Sequence, residues 1–205
     1  MIRDISPPVS EQLEVWPGDT PFSHRRVMEL GGGDTCNVTT INTTVHCGAH
    51  VDAPLHFHAD GADAASVDLD AYIGRARVVR VETAGAVTRA DLEAHDLDGV
   101  ERVLVHARTQ SGPPRFAEAT AHFHPEAAEL AGERGWRLLG IDSFSVDAQD
   151  SKDLASHHAL LRHEVRILEG LDLTDVPEGD YELIALPLKM VGVDASPVRA
   201  ILRDL

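Results

Sequence analysis

The stretch "VHCGAHVDAPLHFHADG", Val45 to Gly61, holds four of the chain's twelve histidines, His46, His50, His56 and His58. Asp52 lies in its middle and Asp60 near its end. Imidazole nitrogens and carboxylate oxygens are the donors of borderline divalent metals, Zn2+ first, with Mn2+ or Fe2+ as alternatives. His46, His50 and Asp52 form an H-x-x-x-H-x-D pattern. Gly48 and Pro54, after a Thr-rich stretch, exclude a helix here. In an extended chain His50 and Asp52 share a face. Gly48 supplies the bend that returns His46 to that face. A carboxylate can also bridge two metals. Two histidines and an aspartate within seven residues, with His56 four positions on, point to a metal or catalytic site. The "HADG" that follows reads as a turn, so His58 and Asp60 are expected in solvent.

A second cluster lies in "IDSFSVDAQDSKDLASHHALLRHEVRILEG", Ile141 to Gly170, with His157, His158, His163, Glu164 and Glu169. It follows an apolar strand, and polar residues at strand ends often line sites in α/β folds. Helical periodicity does not choose between His157 and His158. The apolar set after Glu164 reads as part of a buried helix face. Near the N-terminus, Trp16 is either a core aromatic or a loop residue over a pocket, and the Pro17–Gly18–Asp19 turn that follows it favours the loop.

These residues need elements to position them. "NVTTINTTVH" (Asn37–His46) reads as a half-buried strand. "ARVVRVE" (Ala76–Glu82), "RVLVHA" (Arg102–Ala107), "WRLLGID" (Trp136–Asp142) and "YELIALPLKMVGVD" (Tyr181–Asp194) read as buried strands, with Pro187 marking a bulge or an edge. Helices are expected over Thr88–His95, Pro125–Gly135 and Asp153–Glu164. "SPVRAILRDL" (Ser196–Leu205) reads as a short last helix or turn capped by Ser196. Strands alternating with helices of about a dozen residues favour an α/β layered domain over an all-β sandwich.

The bulk numbers fit one domain. The chain has 205 residues, is 43% hydrophobic and carries a formal net charge of −16. Such acidity repels phosphate backbones and anionic lipid, so neither nucleic-acid nor membrane binding is expected. No run of eighteen apolar residues and no signal-type leader is present. Two cysteines, Cys36 and Cys47, in a chain without such a leader fit a reducing, cytoplasmic setting.

The H-C-G-A-H-V-D-A-P-L-H stretch resembles the H-x-G-x-H-x-D-x-P-x-H motif of the cyclase-like metal-dependent hydrolases, most of all their bacterial arylformamidase branch. "VWPGDTPF", "DAQDSKDLASHHALLRH" and "VPEGDYELIALPLKMVGVDASPVRAILR" resemble other parts of the same family, so the likeness runs over nearly the whole chain. It implies a swivelling-type β/α fold, a homodimer and a site for two Zn2+ ions. His46, His50, Asp52, His157 and Glu169 would be the metal ligands, with Asp52 touching both ions and Glu169 bridging them. His56 would be the acid/base residue, and Trp16 would line the substrate pocket. Cys47 stands where the motif commonly has Thr. The implied reaction is hydrolysis of N-formyl-L-kynurenine to L-kynurenine and formate. Two other readings are a related hydrolase of another aryl amide such as isatin, and a metal-binding module without catalysis.

Overall fold

The structure, a computed structural model, describes residues 1–83, 85–107, 115–116 and 120–205. Its strands are β1 (Ile2–Asp4), β2 (Ser23–Met28), β3 (Val38–Asn42), β4 (His50–Asp52), β5 (Ile73–Arg80), β6 (Ala86–Val87), β7 (Arg102–His106), β8 (His122–Phe123), β9 (Leu138–Ile141), β10 (Arg166–Glu169), β11 (Gly179–Ile184), β12 (Ala195–Pro197) and β13 (Ile201–Asp204). The helices are α1 (Arg89–Glu93), α2 (Pro125–Glu133) and α3 (Ala155–Arg162). The mixed α/β class expected from the sequence is what the chain forms. No helix among the described residues is long and apolar enough to cross a membrane.

Nine strands form one sheet in the order β1-β13-β11-β5-β7-β9-β10-β4-β12. The central four, β5, β7, β9 and β10, run parallel. The flanking strands join antiparallel. β7 and β9 are buried along their whole lengths and read as apolar runs because both of their faces are covered. Val103, Val105, Leu139, Ile141 and Ile167 face the helices and pack with Leu92, Leu130 and Leu160. Leu104, Leu138 and Leu168 face the other way, onto Val51, Tyr72, Leu171 and Leu183. The three expected helices form, and Thr88 caps α1 through a reciprocal box with Asp91.

Four expectations need correction. The segment at Ser196–Leu205 is no helix: Ala195–Pro197 and Ile201–Asp204 are strands. β13 lies between β1 and β11, and two open strand edges outweigh a short segment's helical preference. Ser196 caps nothing; its hydroxyl accepts from the Leu188 amide at 2.8 Å. The strand in Asn37–His46 is limited to Val38–Asn42 and is exposed, because it pairs only with β2 in a separate two-stranded sheet. The long strand at Tyr181–Asp194 ends at Ile184, ahead of Pro187. Arg166–Glu169, read as a helix face, is the fourth parallel strand.

Candidate metal centre

β4 carries His50 and Asp52 two residues apart, so both side chains leave one face of the strand. β10 runs antiparallel beside it, with Glu169 directly opposite His50. That register brings Glu169 Oε2 to 3.3 Å from His50 Nε2. Gly48, at φ 64, makes the bend before β4. Through it His46 Nδ1 reaches to 3.2 Å from Asp52 Oδ1. His157 comes from the first turn of α3, its Nε2 3.3 Å from Asp52 Oδ2 and 3.8 Å from Glu169 Oε1. Five side chains singled out from the sequence therefore meet at one place.

Each imidazole is aimed by its second nitrogen. The Gly48 carbonyl can only accept, so His50 Nδ1, 2.9 Å away, carries the hydrogen. That leaves Nε2 toward Asp52 Oδ1 at 3.5 Å and Glu169 Oε2 at 3.3 Å. His157 Nδ1 is held at 2.7 Å by Asp147, which leaves its Nε2 for Asp52 and Glu169. Asp147 also accepts from the Ser156 and His157 amides at 2.9 and 3.0 Å. It thus takes over the start of α3, where Leu154 offers no capping side chain. His46 Nε2 and His56 Nδ1 share Asp194 Oδ2, each at 3.1 Å.

The charge balance favours a cation. Burial disfavours the His157 imidazolium, yet its bonds to Asp147 and Asp52 and the charge of Glu169 outweigh this and raise its pKa to about 10. His46, also opposed by burial, is raised to about 9 by Asp52 and Asp194. Burial works against ionised Asp52 and Asp147 as well. Hydrogen bonds from His157 and His46 hold Asp52 well below the usual range, and those from His157 hold Asp147 at about 2.

The donor set fits divalent ions. Asp52 Oδ1 is buried and makes no aligned hydrogen bond, although two ring nitrogens stand near it. Ligands about 2.0–2.2 Å from a tetrahedral Zn2+ stand roughly 3.3–3.6 Å apart, and the nitrogen–oxygen separations here are 3.2 to 3.8 Å. Donor atoms of His50, Asp52 and Glu169 lie within 4.8 Å of one another, and so do those of His46, Asp52 and His56. Asp52 belongs to both groups.

His46, His50, His157 and Glu169 line the floor of a cavity of about 290 Å³. Leu13, Trp16, Phe144 and Leu154 give it an apolar wall. Trp16 sits on the turn closed by the Asp19 amide on its own carbonyl at 2.9 Å, and its indole is 38% exposed. His56 is also on the lining, its ring 4.3 Å from that of His46. His158 stands outside, its ring against Phe57. His58 and Asp60 are exposed. The sequence reading missed Asp147 and Asp194, whose partners lie 10 and 148 residues away. Their signal was faint: an acid in "SVDAQD" and one ahead of "ASP".

With this geometry in view, the likeness to known proteins is informative. The family model described as "Putative cyclase" matches residues 3–148. A kynurenine formamidase of Bacillus cereus is 40% identical over 202 residues, covering 98% of this chain and 97% of that protein. A solved structure described as a predicted metal-dependent hydrolase from Bacillus stearothermophilus superposes with TM-score 0.83 at 26% identity, over 98% of this chain and 97% of that one. Isatin hydrolase A from Labrenzia aggregata shares the fold, with TM-score 0.81 at 21% identity over 98% of this chain and 93% of that one. A matching family model over most of the sequence, and a relative matched almost end to end, show that the chain belongs to the cyclase family.

Proposed function

We propose that the chain is a metal-dependent kynurenine formamidase, a hydrolase converting N-formyl-L-kynurenine and water to L-kynurenine and formate. The observation that carries the hydrolytic reading is the meeting of His46, His50, Asp52, His157 and Glu169 beneath an aromatic-walled cavity. The relative matched along 98% of the chain narrows the substrate. In this reading the five side chains would hold two Zn2+ ions, Asp52 belonging to both groups of donor atoms. When bound, such ions supply water acidified to a pKa of about 7 and a Lewis acid for the formyl oxygen.

The chain's other residues supply the rest. The formyl C–N bond breaks and leaves an aniline, which departs only after its nitrogen gains a proton. His56 gives that proton from Nε2, since Nδ1 is engaged by Asp194 at 3.1 Å. Trp16 and Phe144 offer flat faces to the aryl ring.

Zinc-loaded protein mixed with N-formyl-L-kynurenine should produce the absorbance of L-kynurenine together with formate. Ring opening of isatin without formamide hydrolysis would move the reading to another aryl amide. Bound zinc with no turnover of either would make the chain a binding module.

The same proposal includes a homodimer in the cytoplasm. A lone two-stranded hairpin is marginal in water, and β2–β3 exposes Val27, Val38 and Ile41 by 49%, 41% and 61%. A second copy covering that hairpin gives it the burial it lacks, and sedimentation should return twice the chain mass. Both cysteines are free, as suits a reducing compartment.

A further inference from the structure

Most of the cavity lining is apolar or belongs to the metal cluster. Glu14, Asp19 and Ser145 are the exceptions among the described residues, and Ser145 is engaged by the Asp147 amide at 3.2 Å. Asp19 is engaged by its own turn, its Oδ1 accepting from the Thr20 amide at 2.6 Å. Glu14 is held differently. Its Oε2 accepts from the Phe116 amide at 2.8 Å, which fixes the carboxylate. Its Oε1 faces Arg115 Nη1 at 3.4 Å, a loose pairing that leaves both charges able to take another partner.

The pair stands beside the aromatic wall. The Phe116 ring stacks on Phe144 with centroids 3.7 Å apart, and meets the Trp16 indole edge-on at 5.5 Å. A substrate ring seated on Trp16 and Phe144 therefore has this ion pair at its flank. No Lys or Arg lines the cavity among the described residues. Among the described residues, Arg115, paired with the lining residue Glu14, is thus a cation placed to meet an anionic substrate group in a chain of net charge −16.

We infer that Glu14 and Arg115 form an amino-acid clamp: Glu14 accepts from the α-ammonium of the substrate and Arg115 donates to its α-carboxylate. The inference rests on the formamidase reading and deepens it by assigning the substrate's other end. An ion pair facing a zwitterion lets each charge meet its opposite, and the guanidinium fork suits a carboxylate. Both residues determine specificity, since the reacting formamide lies at the metal cluster.

The test compares N-formyl-L-kynurenine with 2-formamidoacetophenone, which keeps the ring, ketone and formamide but lacks the amino acid. The parent should favour the first in kcat/KM. Glu14→Gln and Arg115→Gln should each cut that preference roughly tenfold, mainly through KM. Glu14→Gln keeps an acceptor for the Phe116 amide, so the wall stays in place. Calorimetry with L-kynurenine and 2-aminoacetophenone reads the clamp without turnover. The parent should bind L-kynurenine more tightly, and both variants should lose the difference. A preference that survives both substitutions in calorimetry overturns the clamp. Hydrolysis of neither formamide by the parent overturns the formamidase reading instead, and calorimetry still decides on the clamp.

Discussion

Asp52 and His56 lie four residues apart and fall in one group of donor atoms, yet their surroundings assign them different work. Asp52 is 3% exposed and accepts from His157 while His46 and His50 stand over it. Its removal takes one shared carboxylate away from three imidazoles at once, His46, His50 and His157. His56 is more open and is tied by Asp194 rather than by the buried carboxylates. Asp52→Ala should therefore lose bound zinc by elemental analysis; full occupancy would remove Asp52 from the ligand set. His56→Ala should keep near-parent zinc and lose ~10²–10⁴-fold in turnover, the usual worth of a general acid. Because His56 also shares a donor group with His46 and Asp52, zinc loss in that variant would make it a ligand.

Among the elements, β10 and the bend before β4 depend on each other. Gly170 follows Glu169 at φ 66, and a Cβ there would stand 2.1 Å from the Gly48 carbonyl oxygen. That oxygen is the one that orients His50. Gly170→Ala must push the two segments apart, so it should lower both the melting midpoint and the zinc content. The expected loss is about 2–4 kcal/mol, as for other backbone clashes in packed regions. Gly99→Ala is the control: Gly99 has φ 70 but open space for a Cβ. It should cost only the left-handed strain, about 1–2 kcal/mol, and leave zinc unchanged. Equal zinc loss in both variants, or in neither, would refute the coupling.

Across the whole molecule, the antiparallel joint between β5 and β11 carries a buttressing ion pair. Asp180 bonds Arg77 and Arg75, with Arg77 Nη2 at 2.9 Å and Arg75 Nη2 at 2.6 Å. The hydrogen bond from Arg77 is the main cause that lowers the Asp180 pKa to about 2, against a small opposing effect of burial. A depressed carboxylate stabilises the folded state fully above its unfolded pKa of about 3.9 and loses that contribution as pH falls through the folded value. The joint is partly solvated, so the contribution at neutral pH is below about 1 kcal/mol. Asp180→Asn should lower the urea midpoint at pH 7, and the gap to the parent should close between about pH 4 and pH 2. A gap of the same size at both ends of that range would show that charge is not its source.

Local rules carried the sequence a long way. β7 and β9 were legible because strands buried on both faces are largely apolar, and β5 from the Val-rich second half of its run. α1 was legible from its Thr88 cap and α2 from its leading Pro125 and trailing Gly135, and His50 and Asp52 from the two-residue repeat of a strand. Longer-range facts were not written there. Whether "RILE" is helix or strand depends on the vacant edge of β9, and whether "AILRD" is helix or strand depends on the gap between β1 and β11. The β4–β10 register sets Glu169 opposite His50 across 119 residues of chain. The choice of His157 over His158 follows from which way α3 turns as Asp147 holds its start. Asp194 serves two histidines only because β12 lies beside β4. The residue types and their local period thus determined which groups could do chemistry and which face each would leave. Tertiary structure alone decided which groups meet, because strand pairing and helix docking join segments whose separation no local periodicity records.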